Sequence, residues 1–173
     1  MSRHTKQSYE IYFEETLTEF HGAIARVISS YEMIKALQEE LYQEISVALW
    51  KALSKFDHQS SLKTYVLSIA HKRAISHVAK YAREPRTTDI SNFEFDGFDC
   101  PAENMALSQR MTRLLNALAR LTIIDRQLVT LALEGVSYKE IAEILGISTN
   151  LVGVKLNRAK NKLKIFMAED ENA

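Results

Sequence analysis

Apolar residues recur along this chain at steps of three and four. Ile34, Leu37, Leu41, Ile45, Ala48, Leu49, Ala52, Leu53 and Phe56 fall on one helical face and predict an amphipathic helix ending near Lys55. After the turn Asp57–Ser61, a second stripe runs through Leu62, Tyr65, Val66, Ile69, Ala70, Arg73, Ala74 and Val78, with cations on its other faces. Ile11, Phe13, Leu17, Phe20, Ile24, Val27 and Ile28 predict an earlier helix or helix pair that completes a small bundle. Two prolines and five glycines are too few to punctuate a turn-rich β architecture in 173 residues. The pattern therefore predicts an all-α protein of two small helical domains.

The break between the domains is read from punctuation. Residues 1–83 form the first domain, 84–104 a linker and 105–173 the second. The linker holds Pro85, Pro101 and Gly97, which argue against a continuous helix. Its Phe93, Phe95 and Phe98 suit docking on a partner, or pinning the loop to its own protein.

The sharpest local signal lies in the second domain. Ser137-Tyr138-Lys139-Glu140 is a capping box that starts a helix. Ile141, Ala142 and Leu145 form its inner face, Gly146 permits the left-handed turn that ends it, and Ser148 or Thr149 caps the next helix. Val152, Leu156, Ala159 and Leu163 give that helix its apolar stripe. Small Ala142 lets the two axes approach closely, so the pair reads as a helix-turn-helix. Thr149, Asn150, Gly153, Val154 and Asn157 are then placed to meet base edges in the major groove, and Lys155, Arg158, Lys160 and Lys162 to reach phosphates. A packed helical hairpin with a solvated basic face shares each feature singly. Their coincidence in this order favours the DNA reading.

Charge sharpens the picture once it is resolved along the chain. The total is neutral, with 22 basic and 22 acidic residues, which at first argues against a nucleic-acid partner. Yet His58–Arg83 contains no acid and carries Lys63, Lys72, Arg73, Lys80 and Arg83, while Ile144–Ala168 contains no acid and carries Lys155, Arg158, Lys160, Lys162 and Lys164. Two separated cationic surfaces imply two contacts with polyanion.

The segment Leu118–Leu163, with Asp125-Arg126, the run Glu134 to Ala142, and Asn157-Arg158-Ala159-Lys160, resembles region 4 of sigma-70 family factors. Leu41 to Ile45, Leu49 to Leu53, Phe56 and Thr64 to Ala70 resemble region 2 of the same family. Two matches in the family's order, joined by a short linker, resemble the extracytoplasmic-function (ECF) group. The resemblance implies core RNA polymerase and promoter DNA as partners, with region 4 on the −35 element and region 2 on the −10 element. It also implies control by an anti-sigma factor, the arrangement common in the family.

By the same resemblance, Gln43, Glu44, Val47 and Trp50 contact the polymerase clamp, although Trp50 reads equally as packing. The loop Asp57, His58, Gln59, Ser60 and Ser61 corresponds to the holder of a flipped −10 base. Lys63, Tyr65, Lys72 and Arg73 correspond to residues along the non-template strand, although Tyr65 also lies on the apolar stripe. Lys72 stands where the family often has asparagine, and Ser76 where it often has aspartate. Gly153 and Val154 stand where a basic residue and a serine are common. These departures imply an unusual promoter preference.

Catalytic chemistry finds no support in the sequence. There is no glycine-rich phosphate loop, no His-Glu-X-X-His and no cysteine pair, and Cys100 stands alone. His71 and His77, six residues apart, do not share a helix face. We therefore expect no catalytic residue, no metal, no cofactor and no small-molecule substrate. No apolar run is long enough to span a bilayer and Met1–Glu15 does not read as a signal peptide, so a cytoplasmic protein without membrane insertion is expected. Helix-turn-helix units also serve ordinary repressors, which dimerise and bind operators without polymerase.

Overall fold

The computed structural model describes residues 3–82 and 105–171, and among these it shows seven helices and no strand. They divide into two compact units, one holding α1 (Arg3–Tyr31) up to Ile28 with α2 (Lys35–Leu53) and α3 (Leu62–Tyr81). The other holds α4 (Met105–Ala119), α5 (Ile123–Leu133), α6 (Tyr138–Leu145) and α7 (Thr149–Glu171), together with Ser29–Tyr31. The linker, with its three phenylalanines and Cys100, lies outside the described residues.

In the first unit, the spacing of Leu41, Ile45, Ala48, Leu49 and Leu53 places all five inward on α2. They meet the buried side of α3, where Val66, Leu67, Ala70 and Ala74 are sealed from solvent. Each fully buried leucine or isoleucine here contributes about 1.5–3 kcal/mol of transfer free energy. The alanines let the α2 and α3 axes approach. The earlier segment is one uninterrupted helix of 29 residues rather than a pair. Ile11, assigned to the core from periodicity, is 50% exposed, because Tyr9 and Phe13, two residues to either side and so on the opposite face of α1, are the ones that pack on Trp50. The α3 stripe likewise runs without a break.

The turn from α1 to α2 is organised by a buried acid. Ile34 precedes α2 with extended backbone and no side-chain cap. Instead Glu32 Oε1 accepts the Met33 and Ile34 N–H groups at 2.9 Å each, and the Gln38 side-chain amide donates to the Glu32 carbonyl at 2.7 Å. At the start of α3, Ser61 Oγ accepts the Thr64 N–H at 3.0 Å, the usual means of satisfying a first-turn donor.

The second unit packs α4, α5 and α6 against α7. Leu118, Leu128, Leu131, Ile141, Val152, Leu156 and Ala159 form its centre. Arg126 fastens the α4–α5 turn by donating from Nη2 to the Ala119 carbonyl at 2.6 Å and the Leu121 carbonyl at 3.3 Å. Among the described residues, no helix is long and apolar enough to cross a membrane.

Candidate nucleic-acid and polymerase interface

The helix-turn-helix is built by local chemistry. Ser137 Oγ accepts the Glu140 N–H at 3.3 Å, and Glu140 Oε2 accepts the Ser137 N–H at 3.2 Å, completing the reciprocal capping box. Gly146 ends α6 at φ 65, and the Ile147 N–H then bonds the Ala142 carbonyl at 3.1 Å. A side chain at that φ would crowd its own carbonyl, which is why glycine stands there. Ser148, rather than Thr149, supplies the next cap: its Oγ accepts the Leu151 N–H at 3.3 Å.

With Val152, Leu156 and Ala159 turned into the core, the opposite side of α7 is presented outward. Thr149, Asn150, Val154, Asn157, Arg158 and Lys160 are exposed. The steps from Asn150 to Val154, Asn157 and Arg158 keep them on one face. The side chains of Asn150, Asn157 and Arg158 make no hydrogen bond or ion pair with a described residue, so their polar groups are open to a ligand. Lys155 is half-buried. Gly153 sits beside the Tyr138 ring, with Tyr138 Cε2 3.7 Å from where a Cβ would stand, so it is a packing position next to the face. Lys162 differs from the other cations: its Nζ lies 2.8 Å from Asp125 Oδ2 on α5, which partly neutralises it. Asn161 and Tyr138 extend the exposed surface and were missed from sequence. The step of four from Asn157 could have found Asn161, whereas Tyr138 is brought near by the turn.

In the first unit the proposed base-holding loop is held by aromatic packing. His58 adopts φ 60, and the Phe56 ring lies between those of His58 and Tyr65, at centroid separations of 4.5 and 4.7 Å. The Tyr65 hydroxyl donates to the Ala52 carbonyl at 3.1 Å. The half-buried Tyr65 therefore serves the scaffold through its ring and its hydroxyl. Asp57, His58, Gln59 and Ser61 are exposed, Ser60 and Lys63 half-buried, and Asp57 Oδ1 accepts the Gln59 N–H at 3.3 Å. Lys72 and Arg73 are exposed on α3.

Arg73 does not simply continue the loop surface. It lines a groove with Glu40, Gln43, Glu44, Val47, Ala48 and Lys51 of α2. The structure thus joins a residue assigned to the −10 strand with those assigned to polymerase. Gln43 is exposed and Val47 is 54% exposed despite standing between buried Ile45 and Ala48. Trp50 does not line this groove: its ring makes edge contacts with Tyr9 at 4.8 Å and Phe13 at 5.0 Å, and the Tyr9 hydroxyl donates to its carbonyl. Packing against α1 accounts for its indole.

His71 lies fully buried in α3, and that burial pushes its pKa down from 6.5 to about 3, so the ring is neutral. Glu40 is held below the usual carboxylate range by the hydroxyl of Tyr81 and then by Lys80.

Comparison with known proteins accords with both halves of this description. The family model for sigma-70 region 2 matches residues 17–84, and that for sigma-70 region 4 matches residues 111–163. The chain is 27% identical over 168 residues to the ECF RNA polymerase sigma factor SigK of Mycobacterium ulcerans, covering 95% of this chain and 86% of SigK. It is 24% identical over 161 residues to the ECF RNA polymerase sigma-E factor of Escherichia coli K12, covering 87% and 84%. Among solved structures, the fold is similar to the sigma factor RpoE of Bartonella quintana, crystallised with the anti-sigma factor NepR, at a TM-score of 0.68 and 21% identity over 90% of this chain and 96% of that one. It is similar also to CnrH in complex with the cytosolic domain of CnrY, at a TM-score of 0.66 and 21% identity over 93% and 90%. With two family models matched in order on two helical units, the chain belongs to the sigma-70 family of RNA polymerase sigma factors, in its ECF group.

Proposed function

We propose that this sigma factor divides promoter recognition between its two units by the following residues. Asn150, Val154 and Asn157 read base edges of the −35 element from the major groove, while Thr149, Lys155, Arg158 and Lys160 hold flanking phosphates. Val154 offers an apolar surface to a thymine methyl group. Lys162 contributes less, because Asp125 already balances it. The observation that carries this reading is the exposed face of α7, where the polar groups of Asn150, Asn157 and Arg158 have no partner among the described residues.

In the first unit, the Asp57–Ser61 loop receives an unpaired −10 base, and Lys63 and Lys72 attract the displaced strand. The aromatic set of Phe56, His58 and Tyr65 beside the loop offers the base a ring to stack on. Gln43, Glu44 and Val47, joined by Arg73, contact core polymerase, and Trp50 supports that helix from behind. The protein acts with polymerase in the cytoplasm. RpoE of Bartonella quintana is paired with the anti-sigma factor NepR, and a regulator of that kind is the partner we assign to the free form of this chain.

Promoters selected from a randomised library by the holoenzyme test the division. Asn150→Ala should change base preference at one or two adjacent positions of the upstream element and leave the downstream element as it was. Identical selected sequences for the two proteins would remove Asn150 from the readers.

A further inference from the structure

On α2 and α3 the fold brings together three side chains able to bind metal, which sequence spacing alone does not connect. Glu40 and Glu44 stand one turn apart on α2, and His77 comes from α3 packed against it. One donor atom from each lies within 4.8 Å of the other two. His77 is 1% exposed, and neither ring nitrogen has a hydrogen-bond partner among the described residues. An imidazole removed from water without replacement hydrogen bonds is costly, and such a group points to a ligand. The Glu32 carboxylate, fixed in the α1–α2 turn, places Oε2 3.4 Å from His77 Nε2. A carboxylate beside an imidazole is the arrangement that orients metal-ligating histidines. Glu40 and Glu44 also line the open groove on α2, which gives a cation a path from solvent.

We propose that Glu40, Glu44 and His77 form a binding site for one divalent transition-metal cation of the zinc class. An imidazole nitrogen with two carboxylate oxygens suits such an ion better than magnesium or calcium, which prefer oxygen alone. Three protein ligands leave a fourth position open. Bonds of about 2.0–2.2 Å set tetrahedral ligand atoms roughly 3.4 Å apart, so the donors close by up to about 1.4 Å through rotation of the two glutamate side chains. Lys80, whose Nζ is 3.0 Å from Glu40 Oε1, is displaced from an exposed ion pair of the kind that stabilises little. The Tyr81 hydroxyl, 2.8 Å from Glu40 Oε2, remains to orient that carboxylate. Lys51 and Arg73 in the groove oppose the cation, and the Glu32 carboxylate offsets them. The further consequence rests on the polymerase assignment made above: a metal that engages Glu44 withdraws it from that face and weakens core binding.

The test is titration of the full chain with Zn2+ in competition with a chromophoric chelator. One equivalent should bind, with affinity falling at least tenfold in Glu44→Gln and in His77→Gln and unchanged in Glu39→Gln on the same helix. Because His77 is buried, the decision rests on half-buried Glu44 wherever circular dichroism shows His77→Gln misfolded. Absence of stoichiometric binding, or equal affinity in wild type and Glu44→Gln, overturns the site. The same Zn2+ concentration should lower the affinity of the wild-type chain for core polymerase and leave that of His77→Gln unmoved. Metal binding lost in Glu44→Gln, with core affinity indifferent to zinc, keeps the site and overturns its coupling to polymerase. Failure of the metal-free chain to bind core refutes the functional reading and not the site.

Discussion

The two units use their polar and aromatic side chains in opposite ways. On α7 the buried stripe is aliphatic, and the polar groups of Asn150, Asn157 and Arg158 are left outward without a partner among the described residues. On α2 and α3 the residues with binding chemistry also hold the scaffold: Tyr65 bonds the Ala52 carbonyl, Trp50 packs on Tyr9 and Phe13, and His71 is sealed inside. Side chains on the outward face of α7 can therefore change without changing the fold of the second unit. In the first unit, Tyr65 and Trp50 cannot be replaced without disturbing the packing they hold, whereas exposed Val47 and Lys72 can.

The largest effect that would sharpen this contrast is at Trp50. Trp50→Ala should destabilise the protein by about 3 kcal/mol, the low end for a truncated indole because the ring is only half-buried. Val47→Ala should move stability by no more than about 0.5 kcal/mol and instead weaken binding to core polymerase. Denaturant unfolding beside a core-binding titration separates them, and the reverse pattern would exchange their roles.

Acid is the next probe, through His71. The unfolded ring takes a proton near its ordinary 6.5, and the folded ring resists it down to about 3. Stability is thus fully present above that upper value and is lost as pH falls through the interval, by up to about 1.4 kcal/mol per pH unit. His71→Leu should flatten that part of the profile, measured by unfolding from about pH 7 to about pH 5. An unchanged slope would assign the acid sensitivity to other groups.

Smaller effects test the second unit. Ser137→Ala should cost about 1 kcal/mol through the lost cap, seen as a lower unfolding midpoint, with base preference retained. Arg158→Ala should weaken promoter binding evenly across sequences and reduce the slope of log affinity against log salt by about 0.9, as for one lost phosphate contact. A change in sequence preference instead would make Arg158 a base reader.

How much was legible in the sequence follows the same division. Ser137, Glu140 and Gly146 act on atoms a few residues away, so the helix-turn-helix, its caps and the exposed face of α7 could be read from spacing. The all-α character and the α2 stripe were legible for the same reason. What spacing could not supply was the direction set by distant residues. Whether Trp50 faced a partner depended on Tyr9 and Phe13, some forty positions earlier, and whether Lys162 was free depended on Asp125 of another helix. The approach of Glu40 and Glu44 to His77 was hidden similarly, because considering histidines alone leaves out the carboxylates across the helix pair. Ile11 misled because periodicity marks a face without saying whether a neighbour covers it there.

The decisive experiment is transcription in vitro by core RNA polymerase from the DNA upstream of this protein's own gene, with and without the purified chain. Specific initiation should require the chain and should fall when Arg158 is replaced by alanine. Core polymerase that gains no start site from the chain, while the chain alone protects a palindromic duplex, would contradict it.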